Sequence, residues 1–296
     1  MTAVTQKIVR RRDALAAFVF LAPFLVIYIT FLVYPFFKGL WISLHDWELA
    51  GDYREFIGFL NYQDLWADTI FWKAVGNTLK FVVMTVPAMT VLALALALAV
   101  FGDGRLKGTL RSIFFMSSVF SVSVVTLIWS MVLSADNGLL VPLFNLFGVK
   151  PINFLGHPTL AMPSLALTTL WWGVGLPMAL FLAALSQIPS ELYEAAELDH
   201  AGRFTTLIRI TLPSIRPTLL LVLVLQIVGQ FQIFGQAHLM TQGGPANKTK
   251  MLVQYIYETS FRDWQVGYAS AMSFGLFILM FGFTMLQLWL GRKGDE

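Results

Sequence analysis

The sequence predicts an all-α membrane protein with six transmembrane helices, and three observations carry that prediction. Of 296 residues, 57% are hydrophobic and only 12% charged, with a mean hydropathy of +0.71, whereas soluble domains carry about a quarter charged residues. The charges cluster, and between the clusters lie six windows free of Asp, Glu, Lys and Arg, each longer than the ~20 residues a helix needs to cross a bilayer. The windows also lack the alternating segments of about ten residues that build an outer-membrane barrel. A water-soluble globular enzyme is excluded on composition.

The windows run from Ala14 to Phe37, Phe81 to Gly102, Ser112 to Ala135, within Pro151 to Ser190, within Pro217 to Asn247, and from Trp264 to Gly291. The fourth and fifth spans are expected at Leu160 to Gln187 and Thr218 to Leu239. The first span follows basic residues, as a signal peptide does. Its 24 uncharged residues exceed a signal h-region and no small-x-small cleavage site follows, so it reads as a retained anchor.

Orientation follows from the basic residues. With the N-terminus inside, Lys7, Arg10, Arg11, Arg12, Arg105, Lys107, Arg111, Arg203, Arg209, Arg216, Arg292 and Lys293 all fall on short cytoplasmic segments, 12 of the 20 in the chain. Both termini are therefore expected in the cytoplasm. The chain divides into a cytoplasmic N-terminus (1–13), one membrane domain (14–291) with a cytoplasmic loop at 187–217, and a cytoplasmic tail (292–296). No fixed-period repeat, low-complexity tract or soluble domain interrupts it, the longest loop running from Lys38 to Lys80. Asn137 to Pro158 suggests a short half-helix folded back on the membrane face. Gly243-Gly244-Pro245 signals a turn, followed by a surface helix from Met251 to Phe261.

Most catalytic chemistry has no residues to perform it. Cysteine is absent, which removes disulfides, thiolates and cysteine metal sites. There is no phosphate-loop motif for ATP. His45, His157, His200 and His238 stand far apart, without metal-ligand spacing, and read as loop or interface residues. Gly173-Val174-Gly175 lacks the rest of a dinucleotide fingerprint and reads as close helix packing. The pI near 9.1 reflects membrane topology rather than affinity for nucleic acid. Ion-driven transporters keep ionisable groups inside the membrane for use, at ~2.5 to 3.5 kcal/mol each. The windows hold no Asp, Glu, Lys or Arg, so uphill movement would draw its energy from elsewhere.

The loop between the fourth and fifth spans is the informative segment. Pro189 and Ser190 start a helix, and Glu191 and Glu194 place negative charge at its positive end. The helix stops near His200 to Gly202. Ala195, Asp199 and Gly202 are expected on one face, and Ala195 with Ala196 present little bulk, so that another backbone can approach. On physics alone this is either a docking element or a solvated inter-span loop. Glu194-Ala195-Ala196-x-x-Asp199-x-Ala201, followed by Ile210-x-Leu212-Pro213, resembles the EAA loop of permease subunits in binding-protein-dependent ABC importers. Leu182 to Pro189, Thr241 to Pro245 and Gly267 to Ala271 resemble the sugar-type branch, the maltose and glycerol-phosphate permeases. The likeness spans about Ala14 to Gly291.

That resemblance implies a type I importer permease (MetI-like) fold in the prokaryotic inner membrane, a second homologous permease, two ATPase subunits and an extracytoplasmic solute-binding protein. ATP and Mg would belong to the ATPase subunits, with no cofactor and no catalytic residue in this chain. It further implies a coupling helix in which Glu194 meets the ATPase subunit, Ala195 and Ala196 give the close-packing surface, and Asp199 orders the turn. The family has glycine after that aspartate, whereas this chain has His200. Histidine tolerates a left-handed backbone better than most residues, and Gly202 lies two positions on.

The fifth span carries the best candidate path. On a continuous helix Gln226, Gln230, Gln232 and Gln236 fall within an arc of about 160 degrees, with Phe234 and Gly235 opposite. Four amides on one side line a cavity or bind neighbouring helices. Trp171 and Trp172 either stack on a sugar or anchor at the interface. Amides that both donate and accept suit a neutral carbohydrate or polyol. The rival readings are an anionic glycerol phosphate-type substrate and a self-contained secondary transporter.

Overall fold

The computed structural model describes residues 18–49 and 54–292. The expected anchor residues before Phe18, the basic residues Lys7, Arg10, Arg11 and Arg12, and Lys293 lie outside the described residues. Among the described residues three helices are long and apolar enough to cross a membrane, and six spans result if each of three bent helix pairs counts as one. The chain forms two compact units, one from residues up to Ala67 together with Thr259–Phe274, the other from Asp68–Glu258 with Gly275 onward.

In the first unit, helix α1 (Phe18–Ile42) has no buried residue and is long and apolar enough to cross a membrane. A π turn at Ile29–Val33 interrupts it. Strands β1 (His45–Trp47) and β2 (Arg54–Phe56) follow as an antiparallel pair, with Trp47 opposite Arg54. The Arg54 guanidinium lies 4.4 Å from the centre of the Trp47 ring, a cation–π contact. Helix α2 is Leu60–Ala67. Its Asn61 carboxamide donates to Ser43 O (2.8 Å) and His45 O (3.0 Å), pinning the strand to the helix. The start of the last helix, α13 (Val266–Arg292), packs on β1. There Leu49 N donates to Trp264 O at 2.9 Å. A Cβ on Gly267 would sit 2.1 Å from His45 O, so only glycine fits.

The second unit is built round α3 (Thr69–Val100), 32 residues with Pro87 inside it. Asp68 caps it, Oδ1 accepting from Ile70 N (2.7 Å) and Phe71 N (3.1 Å). The helix begins well before the uncharged window at Phe81, because charge ends a membrane span without ending a helix. Lys73 Nζ reaches Ala246 O at 2.7 Å. Ala93 and Ala97, one turn apart and fully buried, let Met178, Phe181 and Leu185 close on α3. Thr78, Thr85 and Thr90 return their hydroxyls to the carbonyl four residues back, leaving no unpaired donor in an apolar interior. At the far end Arg111 Nε donates to Val100 O at 3.0 Å and Lys107 Nζ to Phe101 O. Two basic residues that argue for orientation thus also cap a helix C-terminus.

The remaining spans are bent. α4 (Arg105–Met116) and α5 (Val122–Leu133) meet at 102°, α7 (Ala161–Gly173) and α8 (Gly175–Leu185) at 48°, and α10 (Arg203–Ser214) and α11 (Arg216–Phe231) at 71°. A short α6 (Val141–Leu146) stands where a half-helix is expected. α9 (Ser190–Leu198) lies between α8 and α10. Beyond Gly243-Gly244-Pro245, helix α12 (Leu252–Tyr257) also forms, but Met251, Leu252 and Gln254 are buried. It is a packed helix rather than the surface helix expected, because Leu252 N bonds the Thr78 hydroxyl at 3.0 Å and Met251 joins the core with Phe81.

Candidate functional site

The α4/α5 bend, the α7/α8 bend and the far end of α11 converge on one place in the second unit. Trp172 Nε1 donates to Phe120 O at 3.0 Å, and Ser117 Oγ donates to Trp172 O at 3.4 Å, joining the first break to the second. A Cβ on Gly175 would lie 2.8 Å from Ser118 Oγ and 2.9 Å from Phe115 Cα. Gly173-Val174-Gly175 is therefore a close-packing element, as its composition suggests. On the third side α11 stops at Phe231, and the chain turns through Gln232 and Phe234 before resuming in a π turn, Ala237–Thr241. Here a Cβ on Gly235 would come within 2.5 Å of Val122 Cγ2. Irregular backbone at membrane depth is tolerated where it lines a cavity or is buried in protein.

The cavity at this junction measures about 450 Å³, and Gln226, Gln230, Gln232 and Gln236 all line it, with Thr169 and Trp172. Gln230 is buried and its Nε2 donates to Gln226 Oε1 at 3.1 Å. Gln236, also buried, reaches Thr169 Oγ1 at 3.5 Å. No charged side chain lines the cavity. The expected continuous helix is corrected. The break after Phe231 ends the 100-degree progression, so Phe234 and Gly235, expected on the opposite side, join the glutamines on the wall. Trp171 is separated from Trp172. It is 40% exposed and meets Trp129 edge-on, with ring centres 5.9 Å apart, outside the cavity lining.

The loop from α9 to α10 forms a second constellation. α9 starts after Pro189, with no side-chain cap, and Ser190 lies inside its first turn. It ends by a double closure of the backbone, His200 N to Glu197 O at 3.0 Å and Ala201 N to Ala196 O at 2.8 Å. This is a Schellman ending. His200 holds φ +53°, the left-handed position, whereas Gly202 has φ −66° and needs no glycine freedom. Because the helix ends at Leu198, Gly202 does not share a helical face with Ala195 and Asp199.

Glu194, Ala195 and Asp199 are exposed, but Ala196 is buried. Ala196 faces a 630 Å³ cleft of the chain's own making, shared with Leu98, Phe101, Tyr193 and Thr211. Tyr193 Oη and Thr211 Oγ1 lie 3.2 Å apart across it. Sequence reasoning missed two apolar side chains at the tip, Leu198 (82% exposed) and Phe204 (73% exposed). Their signal was their isolation in an otherwise polar loop.

A bundle whose broken helices meet round an uncharged, amide-lined cavity belongs to the class of helical solute permeases. The family described as binding-protein-dependent transport system inner membrane component matches residues 71–294, and the chain belongs to it. It is thus a transport component rather than an enzyme. The lactose transport system permease protein LacF of Rhizobium radiobacter is 30% identical over 303 residues, covering 99% of each chain. The multiple sugar-binding transport system permease protein MsmF of Streptococcus mutans is 32% identical over 271 residues, covering 91% of this chain and 92% of its own. In structure, a chain of a bacterial alginate ABC transporter in complex with an alginate pentasaccharide-bound periplasmic protein superposes with a TM-score of 0.82 at 22% identity, covering 96% of both.

Proposed function

We propose that this chain is the permease subunit of an ATP-driven importer for a neutral carbohydrate or polyol, with the amide-lined cavity as part of its path. The observation that carries this reading is the wall itself: four glutamine carboxamides, a threonine hydroxyl and an indole, with no charge. Each amide donates and accepts, matching a run of hydroxyls, and the Trp172 ring offers a face to a sugar. A phosphate ester would lose its hydration there without meeting a cation. The relatives that carry lactose or multiple sugars support the same substrate class.

The partners are a solute-binding protein outside, a second homologous permease, and two ATPase subunits that bind ATP and Mg. Both termini lie in the cytoplasm, and α9 docks in the ATPase subunit. Glu194 and Ala195 lie on the exposed side of α9, and Asp199, His200, Ala201 and Gly202 form the turn that presents Leu198 and Phe204. Ala196 ties this element to the rest of the permease, so nucleotide-driven movement at α9 is passed to α3 and α8.

The test is uptake in proteoliposomes holding the full assembly. Maltose, trehalose, lactose and diacetylchitobiose are compared with sugar phosphates, each delivered on a binding protein loaded with it. The expected outcome is ATP-dependent entry of a neutral sugar that falls on Gln230→Ala. A preference for the phosphorylated compounds would sink the reading.

A further inference from the structure

The first unit holds a pocket of about 380 Å³ whose chemistry is distinct from that of the amide-lined cavity. Asp46 and Glu48 come from β1 and the residue after it, Asn61 and Asp64 stand one turn apart on α2, and Gln265 and Tyr268 come from the start of α13. Glu48 and Gln265 also pair as a backbone bridge, which fixes the two walls against each other.

Asn61 is the anchor. It is 7% exposed, and both hydrogens of its amide are used on Ser43 O and His45 O. That geometry turns its Oδ1, which has no hydrogen-bond partner among the described residues, to the pocket it lines. Three carboxylates and this carbonyl make the wall rich in acceptors. No Lys or Arg lines it, so phosphates, sulfates and acidic sugars are repelled. Trp47 adds an indole to the wall, held by the Arg54 guanidinium on its ring. Carboxylates, side-chain amides and aromatic rings in one pocket suit a ligand that offers many hydroxyl donors and apolar C–H faces.

We infer that this pocket is a second carbohydrate subsite, made of residues separate from the cavity and taking a neutral sugar. The inference rests on the carbohydrate reading above, and the span count puts the pocket on the outer side, where a sugar released by the binding protein would meet it first. Hydrogen bonds from sugar hydroxyls to ionised carboxylates are among the stronger neutral-ligand contacts, so loss of one is expected to weaken binding about ten-fold.

The experiment uses the full transporter in nanodiscs without binding protein. Maltose, trehalose, lactose and diacetylchitobiose are each added at millimolar concentration, and saturation-transfer difference NMR reads the bound sugar. Expected is a signal that persists in the double variant Gln230→Ala/Gln236→Ala and falls about ten-fold in apparent affinity in Asp64→Ala. Asp64 is exposed, so its truncation leaves the strand pair intact, and Asp64→Asn should restore part of the binding. Absence of any Asp64-dependent signal with all four sugars overturns the subsite, whatever the transporter imports. In a parallel pull-down of the same nanodiscs with the purified binding protein, weakened association in Asp64→Ala, with sugar saturation unchanged, also overturns it and makes the pocket a socket for a basic side chain. Asp64-dependent binding of a neutral sugar in a transporter whose uptake prefers sugar phosphates would leave the subsite standing and overturn the import reading.

Discussion

At His200 a single backbone angle decides what the side chain is for. A non-glycine residue in the left-handed region costs roughly 1–2 kcal/mol, and His200 holds φ +53° there, closing the end of α9. His200→Gly should therefore keep full uptake and raise the unfolding temperature, while His200→Val should lower both assembly and uptake. Loss of transport in the glycine variant, with normal expression, would show that the imidazole makes a contact of its own. Two neighbours separate in the same way. Glu194 is exposed and Ala196 buried. Glu194→Lys is expected to leave thermal stability unchanged and abolish ATPase binding and uptake. Ala196→Trp puts an indole at a buried position, where it must displace the side chains packed on Ala196 at about 1–3 kcal/mol, and should lower the melting temperature even without partners. The Glu194-Ala195-Ala196 pattern was legible in the sequence, but the direction of each residue was not. Small residues at helical spacing announce a close approach without saying whether the approaching backbone belongs to the same chain.

Among the elements, each window without charge overlaps a long apolar helix or a bent pair, but α3 begins at Thr69 rather than Phe81 and α10 lies before the fifth window. The breaks escaped notice because continuous apolarity carries no mark of where a helix stops. Ser121, which caps α5 through Val124 N at 3.4 Å, and the Gly173-Val174-Gly175 step were the available signals. No proline or charge stands between Phe231 and Phe234, so the fifth span read as continuous and its glutamines as one stripe. All four glutamines line one cavity in spite of the break, because Gln236, beyond it, reaches back to Thr169. The glycine contacts at the breaks can be tested by suppression. Gly235→Ala must displace Val122, so uptake should fall in the single variant and recover when Val122→Ala is added. No recovery would mean that the glycine supplies backbone freedom rather than space.

Across the whole molecule, the two cavities differ in their balance of charge. The amide-lined cavity carries no charged side chain, and the charged side chains lining the pocket of the first unit are all acidic. Gln236→Glu would place an ionised carboxylate at a buried position, and unpaired burial of that kind costs several kcal/mol. Neutral-sugar uptake should drop sharply at pH 7 and recover partly on acidification, as protonation removes the charge. Liposomes holding this chain without its partners should show no accumulation under a sodium or proton gradient, which a secondary transporter would show. The close fit of Gly267 against His45 O and the pairing of Leu49 with Trp264 bear on biosynthesis. Besides α2, the strand pair near the start of the chain receives its supporting wall from residues 259–274. While the ribosome is still making the middle spans, that wall does not exist, so the hairpin and α2 must wait through some two hundred residues of synthesis before they can settle. Chains stalled before residue 259 should expose this segment to externally added protease, and full-length chains should protect it.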